Sequence, residues 1–374
     1  MEIGVPKEIK DHENRVALTP EAAGQLIEEG HRVWVQAGAG HGSGFTDDAY
    51  QEAGARLCDA TEAWSRRLVV KVKEPLPQEY PYLQGQILFT FLHLAGVDPG
   101  LTRRLLETAT TAIGYETVED RCGRLPLLAP MSAIAGNMAT LMGAYHLAAT
   151  QGGRGVQPGK VLGTPHGRVL VIGDGTVGRH AARVAIALGA SVAMAGRKPA
   201  RAEALRREMP GELEWFCSTP QSLARRVRES DLVVSAVLVR GARAPHVVTE
   251  DMVRSMPRGS VIVDVSIDQG GSVETARPTT HSHPTFVRHG VIHYCVTNMP
   301  GAYPRTATLA LVRATLPYLR ALAGAGLAAL RRDAGFARGL QTHKGHVTCE
   351  AVARALGLMD RYRPAEEILA ADTP

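Results

Sequence analysis

An α/β fold of two domains, built on doubly wound parallel sheets, is predicted by three features of this 374-residue chain. Short apolar runs alternate along its length with stretches whose apolar residues recur at spacings of three and four. The runs are continuous rather than alternately polar, as in strands buried on both faces. Length suits two domains of ordinary size, and 45% hydrophobic with 21% charged residues is a globular composition.

The elements follow in order. Residues 2–6 (EIGVP) read as a strand, and a charged loop leads to Thr19-Pro20, a helix N-cap and first helical position. Arg15 lies in that loop, either as an ordinary surface arginine or as a bidentate holder of a carboxylate. Residues 31–36 form a second strand. GAGHGSG at 38–44 lacks the phosphate-loop lysine, so no nucleotide is assigned there. Residues 46–53 read as helix. A third strand, 68–73, carries Lys71 and Lys73 on one face and stops at Pro75; a fourth, 87–92, runs directly into His93. Lys73 and His93 thus stand at the carboxyl ends of two parallel strands, where α/β folds place ligands. His93 is open to two readings, an acid/base group near neutral pH or a histidine capping a strand. A further strand spans 112–116. Residues 133–150 are an alanine- and glycine-rich helix connecting domains, and 152–167 a loop dense in glycine and proline.

The most informative stretch is 168–197. An apolar run, 169–172, meets Gly173, Gly175 and Gly178 in a G-x-G-x-x-G turn. A helix follows, with Val177, Ala181, Val184, Ala185 and Leu188 on one face, and residues 191–195 form the next strand. This is a βαβ unit with glycines where a dinucleotide needs them, the Rossmann arrangement, with the phosphates at the helix N-terminus beside Thr176 and Val177. An acidic residue ordinarily follows the second strand and accepts from the adenosine ribose of NAD. Here Gly196-Arg197-Lys198 stands instead. With two cations and no carboxylate to repel a 2′-phosphate, NAD(P) is the expected cofactor, with NADP favoured over NAD; a solvated basic loop is the alternative.

Alternation continues with a helix at 201–208, a strand at 214–217 and a helix at 219–228. Strands at 231–238 and 259–265 come next, the second ending in VDVSIDQGG with Ser266 and Asp268 at its carboxyl end. Asp268 is a candidate base or a ligand to a substrate nitrogen, and Asp264, inside the apolar run, is expected to be buried and hydrogen-bonded. A last strand at 293–297 precedes a long helix at 306–322 containing Pro317, and a mostly helical tail. The Rossmann domain is placed at 130–303, inserted into a discontinuous substrate domain formed by 1–129 and 304–374.

Net charge of +5 is spread along the chain, without the basic block that nucleic-acid binding calls for, and would suit an anionic cofactor and substrate. Five scattered cysteines without a C-x-x-C or His/Cys cluster indicate a reducing compartment and no metal site. No signal-peptide profile or membrane-length apolar run is present, so a cytoplasmic protein with no membrane partner is expected.

Seven motifs, GVPKEIKDHENRVALTP, VKVKEP, FTFLHLAG, LPLLAPMS, SAVLVRGARAP, VIVDVSIDQGGSVETARPTTH and NMPGAYPRTAT, occur in one order over residues 1 to about 358. Together they resemble the alanine dehydrogenase family, which is similar in turn to the dinucleotide-binding part of the nicotinamide nucleotide transhydrogenase α subunit. The resemblance implies reversible oxidative deamination of L-alanine, or a similar small amino acid, to a 2-oxo acid and ammonia. It implies Arg15 and Lys73 as substrate-binding, His93 as the acid/base group and Asp268 as its partner near the amino group. Ser132, Gly173, Gly175, Gly178, Ser218, Leu238, Asn298 and Met299 would line the cofactor. It also implies a homo-oligomer, a hexamer or a smaller symmetric assembly. Departures are the family's MSEVAGR, here Met131-Ser132-Ala133-Ile134-Ala135-Gly136-Asn137, its aspartate at Gly196, and the loop at 156–167. A cofactor-binding module of transhydrogenase type without substrate chemistry is the competing reading, and a non-catalytic NADPH sensor a third.

Overall fold

The computed structural model describes residues 1–239 and 244–371; residues 240–243, within the SAVLVRGARAP motif, and 372–374 lie outside the described residues. The described chain divides into two compact units, one of residues 1–131 and 301–371, the other of 132–239 and 244–300.

The first unit is built on an eight-stranded sheet. Its parallel part runs Thr111–Gly114, Ile87–Thr90, Leu68–Val70, Glu2–Val5, Arg32–Gln36, Arg56–Cys58. The chain winds outward from Glu2–Val5 on one side, then crosses back and winds outward on the other. Glu2–Val5 and Leu68–Val70 are therefore neighbours at the point where the winding reverses, and sheets of this kind take ligands at the carboxyl ends of the strands there. The central strands are buried from end to end, so valine, leucine and isoleucine occupy both faces. Trp64, Val69, Leu88 and Leu105 share one core with Val347 and Val352 from the far end of the chain.

The second unit has a seven-stranded sheet in the order Glu214–Cys217, Ser191–Gly196, Arg168–Ile172, Leu232–Ser235, Val261–Asp264, Val291–Tyr294, all parallel, with Thr285–Arg288 antiparallel at the edge. This is the doubly wound dinucleotide order, with its switch point between Arg168–Ile172 and Leu232–Ser235. Leu170, Val233 and Ile262 pack there with Val227 and Val253.

The predicted helix start at Thr19 is present, its side chain accepting from the Ala22 N–H, and Thr46 caps Asp47–Glu52 likewise. Several expectations need correction. The strands at 68–73, 87–92, 231–238 and 259–265 are shorter than their apolar runs, ending at Val70, Thr90, Ser235 and Asp264. The remaining apolar residues wall the loops, and their backbone groups bond side chains: the Val72 N–H donates to Glu8 and the Val237 N–H to Ser266. The last parallel strand is Val291–Tyr294, and the strands Arg56–Cys58 and Thr285–Arg288 escape the sequence pattern. The loop at 152–167 contains a hairpin, Gly159–Val161 with Thr164–His166, and the supposedly helical tail contains another, Leu340–His343 with His346–Val347, which pairs antiparallel to Thr111–Gly114. Both turn on two left-handed residues, Leu162-Gly163 and Lys344-Gly345, rather than on an Asn-Gly signal. On the helix Thr176–Leu188 the buried face is Gly178, Ala181, Ala182 and Ala185, while Leu188 is 41% exposed.

Candidate active site

In the first unit, the candidate residues collect at the carboxyl edge of the sheet. The loop after Glu2–Val5 is rich in charge, yet Glu8, Glu13 and Arg15 are all buried. Arg15 is 2% exposed. Its Nε donates to Glu13 Oε1 at 2.6 Å, its Nη2 pairs with Glu13 Oε2, and its Nη1 reaches Met131 Sδ at 3.0 Å. The fork-to-carboxylate pairing fixes the guanidinium plane. The helix Pro304–Ala325 steadies this loop, Thr308 Oγ1 accepting from the Val16 N–H at 3.1 Å. Of the two readings of Arg15, the exposed surface arginine is excluded.

Lys71 and Lys73 do not behave alike. Lys71 is wholly buried and lies 3.1 Å from Glu8 and 2.8 Å from Glu79. Burial alone would lower its ammonium, but the two carboxylates hold it above the ordinary lysine value. Burial pushes the Glu8 carboxyl up against the pull of Lys71. Glu8 also accepts from the N–H groups of Val72 (2.6 Å) and Lys73 (3.4 Å), which pins the bend from which Lys73 projects. Lys73 itself is 8% exposed, and its ammonium has no hydrogen bond or ion pair among the described residues. It acts at a distance on Glu74: burial would raise that carboxyl, and Lys73 with Lys10 brings it below its usual range. A buried ammonium without a contact partner is costly and fits a site that an anionic or carbonyl oxygen completes.

His93 follows Ile87–Thr90 by three residues and has φ of 48°, an uncommon conformation for a side-chain-bearing residue. Glu116 holds it there, taking the His93 N–H at 2.7 Å on one oxygen and the Leu92 N–H at 3.2 Å on the other. The ring stacks on Phe91 with centroids 5.6 Å apart, and its nitrogens have no partner among the described residues. The backbone, not the imidazole, carries the anchoring, which leaves the ring nitrogens available for proton transfer.

In the second unit, the glycines of the turn divide by role. A Cβ on Gly173, whose φ is 109°, would lie 2.4 Å from the Ala236 carbonyl oxygen, and one on Gly178 1.8 Å from the Gly173 oxygen. Among the described residues, nothing lies within 4 Å of a Cβ on Gly175. Two glycines are thus demanded by the protein's own packing, and the third faces open space at the start of the helix, as a cradle for a diphosphate requires. Thr176 and Val177 open that helix. The next strand ends at Gly196, whose carbonyl takes the Ser218 N–H at 2.8 Å. Arg197 and Lys198 are exposed. The sequence leaves this spot without a carboxylate. The structure supplies one: Asp174 Oδ2 lies 2.8 Å from where a Cβ on Gly196 would be.

Past the switch point, Leu238 is 45% exposed. Asp264 is buried as expected and accepts from Ser266, Ser272 and Val273. Burial raises its pKa against those bonds. It caps the short turn Val265–Gln269 that presents Asp268, and Asp268 accepts from the Asn298 N–H at 3.1 Å. Asn298 has φ of 60°, and Met299 beside it is buried. Ser132 lies in the helix Ala129–His146, which crosses Thr176–Leu188 so closely that a Cβ on Gly136 would meet the Val177 oxygen at 2.3 Å.

Comparison with known proteins completes the picture. The model of the alanine dehydrogenase/PNT N-terminal domain matches residues 4–135, and that of the C-terminal domain matches 139–350. The chain belongs to the alanine dehydrogenase/PNT family. It is 50% identical to the alanine dehydrogenase of Bacillus subtilis (strain 168) over 374 residues, 99% of this chain and 98% of that one. It is 51% identical to that of Halomonas elongata over 362 residues, 96% and 97% of the two chains. A solved L-alanine dehydrogenase superposes with a TM-score of 0.90 at 48% identity, covering 96% of this chain and 99% of the other. The transhydrogenase from Sinorhizobium meliloti is more distant, at TM-score 0.78 and 25% identity, over 94% and 100%. Of the departures from the alanine dehydrogenase pattern, Asn137 has a structural use: its side-chain oxygen lies 3.2 Å from His180 Nδ1 on the facing helix.

The residues that sequence reading missed are Glu8, Glu13, Glu79 and Glu116, which hold the expected ones, and Asp174. No spacing rule marks them. A buried lysine with a second lysine two residues on is the one hint that counter-charges must be found elsewhere in the chain.

Proposed function

We propose that the protein is an NAD(P)-dependent L-amino-acid dehydrogenase that interconverts L-alanine with pyruvate and ammonia. The observation that carries this reading is the nearly buried, unpartnered ammonium of Lys73 on the same sheet edge as the clamped Arg15. Two cations at one sheet edge suit a 2-oxo acid, whose carboxylate and carbonyl oxygens each take a donor. Arg15 binds the carboxylate, and Lys73 polarises the carbonyl. His93 takes the proton from water as it adds to the imine and returns it in the amination direction. Asp268 offsets positive charge as it develops at the substrate nitrogen. The nicotinamide, when bound, accepts or supplies the hydride at the substrate α carbon.

Gly173, Gly175, Gly178, Thr176 and Val177 would hold the diphosphate, and Gly196, Ser218, Leu238, Asn298 and Met299, with Ser132, the rest of the cofactor. Exposed Arg197 and Lys198 favour a 2′-phosphate, so NADP(H) is used and NAD(H) is also accepted. The protein works as a symmetric homo-oligomer, a hexamer or smaller, in the cytoplasm. No helix among the described residues is long and apolar enough to cross a membrane.

Mixing the protein with pyruvate, ammonium and NADH or NADPH is expected to consume the reduced cofactor, read by absorbance. Binding of cofactor without turnover on any small 2-oxo acid would leave a binding module of transhydrogenase type. Light scattering at working concentration is expected to exceed the mass of one chain, and a monomer would refute the assembly. Lys73→Met is expected to raise KM for pyruvate ~10-fold to 100-fold, the worth of a hydrogen bond to a charged group. Because it removes a buried charge that has no direct ion pair among the described residues, and only a longer-range pull on Glu74, it is expected to lower the unfolding midpoint far less than loss of a paired buried charge would. An unchanged KM rejects the contact.

A further inference from the structure

The second strand of the glycine-turn unit ends at Gly196, where this fold ordinarily places the carboxylate that accepts from the adenosine ribose. A side chain at 196 would have to displace its neighbours. Its Cβ would lie 2.7 Å from both Cζ2 and Nε1 of Trp215 and 2.8 Å from Asp174 Oδ2. The room is taken, and one of the groups taking it is itself a carboxylate, delivered from between the first two glycines of the turn.

Asp174 is held on its other side. Arg201 donates Nη1 to Asp174 Oδ1 and Nη2 to the Asp174 carbonyl oxygen, each at 3.0 Å. Asp174 Oδ2 and Trp215 Nε1 are closed off from solvent, and neither has a hydrogen-bond partner among the described residues. An acceptor and a donor left unpaired around one point are an unusual expense in a folded protein, and such orphans concentrate where a ligand completes the site. The Asp174 side chain keeps 13% exposure and Arg201 keeps 43%, so the pair borders open surface rather than core.

Resting on the nicotinamide-dinucleotide reading above, we propose that Asp174, oriented by Arg201, is the ribose-reading residue of this chain and the reason NAD(H) is accepted. An ionised carboxylate only accepts hydrogen bonds, so it pairs with a ribose hydroxyl and repels a 2′-phosphate. Exposed Arg197 and Lys198 act in the opposite sense. Dual cofactor use follows from two elements at neighbouring strand ends, each tunable without the other. An aspartate at 196 would have to push aside the Trp215 ring edge and the Asp174 carboxylate, so it would replace that carboxylate rather than add to it.

The test is calorimetric titration of the full-length protein with NADH and, separately, NADPH, for the wild type, Asp174→Asn and Arg201→Met. Asp174→Asn keeps shape and loses charge. It is expected to weaken NADH ~10-fold or more and to leave NADPH unchanged or tighter, so the ratio of the two Kd values shifts by at least that factor. Arg201→Met, which frees the carboxylate to reorient, is expected to move the ratio in the same direction by less. Retained NADPH affinity shows that the variants are folded. An unchanged ratio, or equal loss of both cofactors, overturns the proposal and makes Asp174 a packing residue. Wild-type protein that binds neither cofactor overturns the underlying reading as well, and the two failures are told apart by that titration alone.

Discussion

His93→Ala is expected to lower kcat by ~10²-fold or more in both directions, since a positioned acid/base group contributes at least that much. The imidazole is free to act because Glu116 grips the backbone N–H groups of Leu92 and His93 rather than the ring. The substitution removes the ring and leaves that grip in place, so NADH binding and the unfolding midpoint are expected to stay close to wild type. A small part of the loss is conformational, because alanine tolerates the positive φ at 93 less well than histidine does. His93→Asn, which suits that backbone, separates the two contributions: a chemical role predicts that it loses nearly as much as His93→Ala, short only by the conformational part. Near-normal turnover in either one removes His93 from the mechanism.

Arg15→Ala is expected to act on stability as strongly as on activity. Arg15 and Glu13 are both almost wholly buried and face each other fork to fork. Taking away one partner of such a pair costs about 3–5 kcal/mol, because the carboxylate loses the group that offset its desolvation. Urea unfolding followed on the first unit is expected to show that loss as a lowered midpoint at unchanged slope. Glu13→Gln with Arg15→Met, which removes both charges, is expected to recover much of the stability and none of the pyruvate affinity. Lys73→Met, by contrast, raises KM with a much smaller stability penalty. Two cations on one sheet edge thus separate by experiment into one that the fold needs and one that it tolerates. Equal midpoints for the two single variants would contradict the burial argument.

What could be read from sequence follows the range over which each feature is determined. The glycine turn is legible because its constraints are local: Gly178 meets the oxygen of Gly173, five residues away. Lys73 and His93 are legible because each follows an apolar run at a strand end. The acidic residues of KEIKDHENR read as a solvated loop. Glu8 is buried only because Val72 and Lys71, more than sixty residues on, come to it. The missing carboxylate at 196 was sought in its usual place in sequence, and the structure supplies a carboxylate from another strand end, through Asp174. The two hairpins were missed because Leu162-Gly163 and Lys344-Gly345 adopt left-handed turns without the residues that advertise them.

The hairpin at Leu340–His343 bears on how the chain is made. The second unit lies almost wholly within one continuous stretch and can fold as it leaves the ribosome. The first unit cannot finish until residues 340–352 have been made. Until residues 340–347 emerge, Thr111–Gly114 is an open strand edge, and the core around Trp64, Val69 and Leu88 lacks Val347 and Val352. Unpaired edges and exposed apolar faces recruit other chains. A nascent chain of this protein therefore carries a half-built sheet from the making of Thr111–Gly114 until residues 340–352 follow, and over that span it is open to association with other chains.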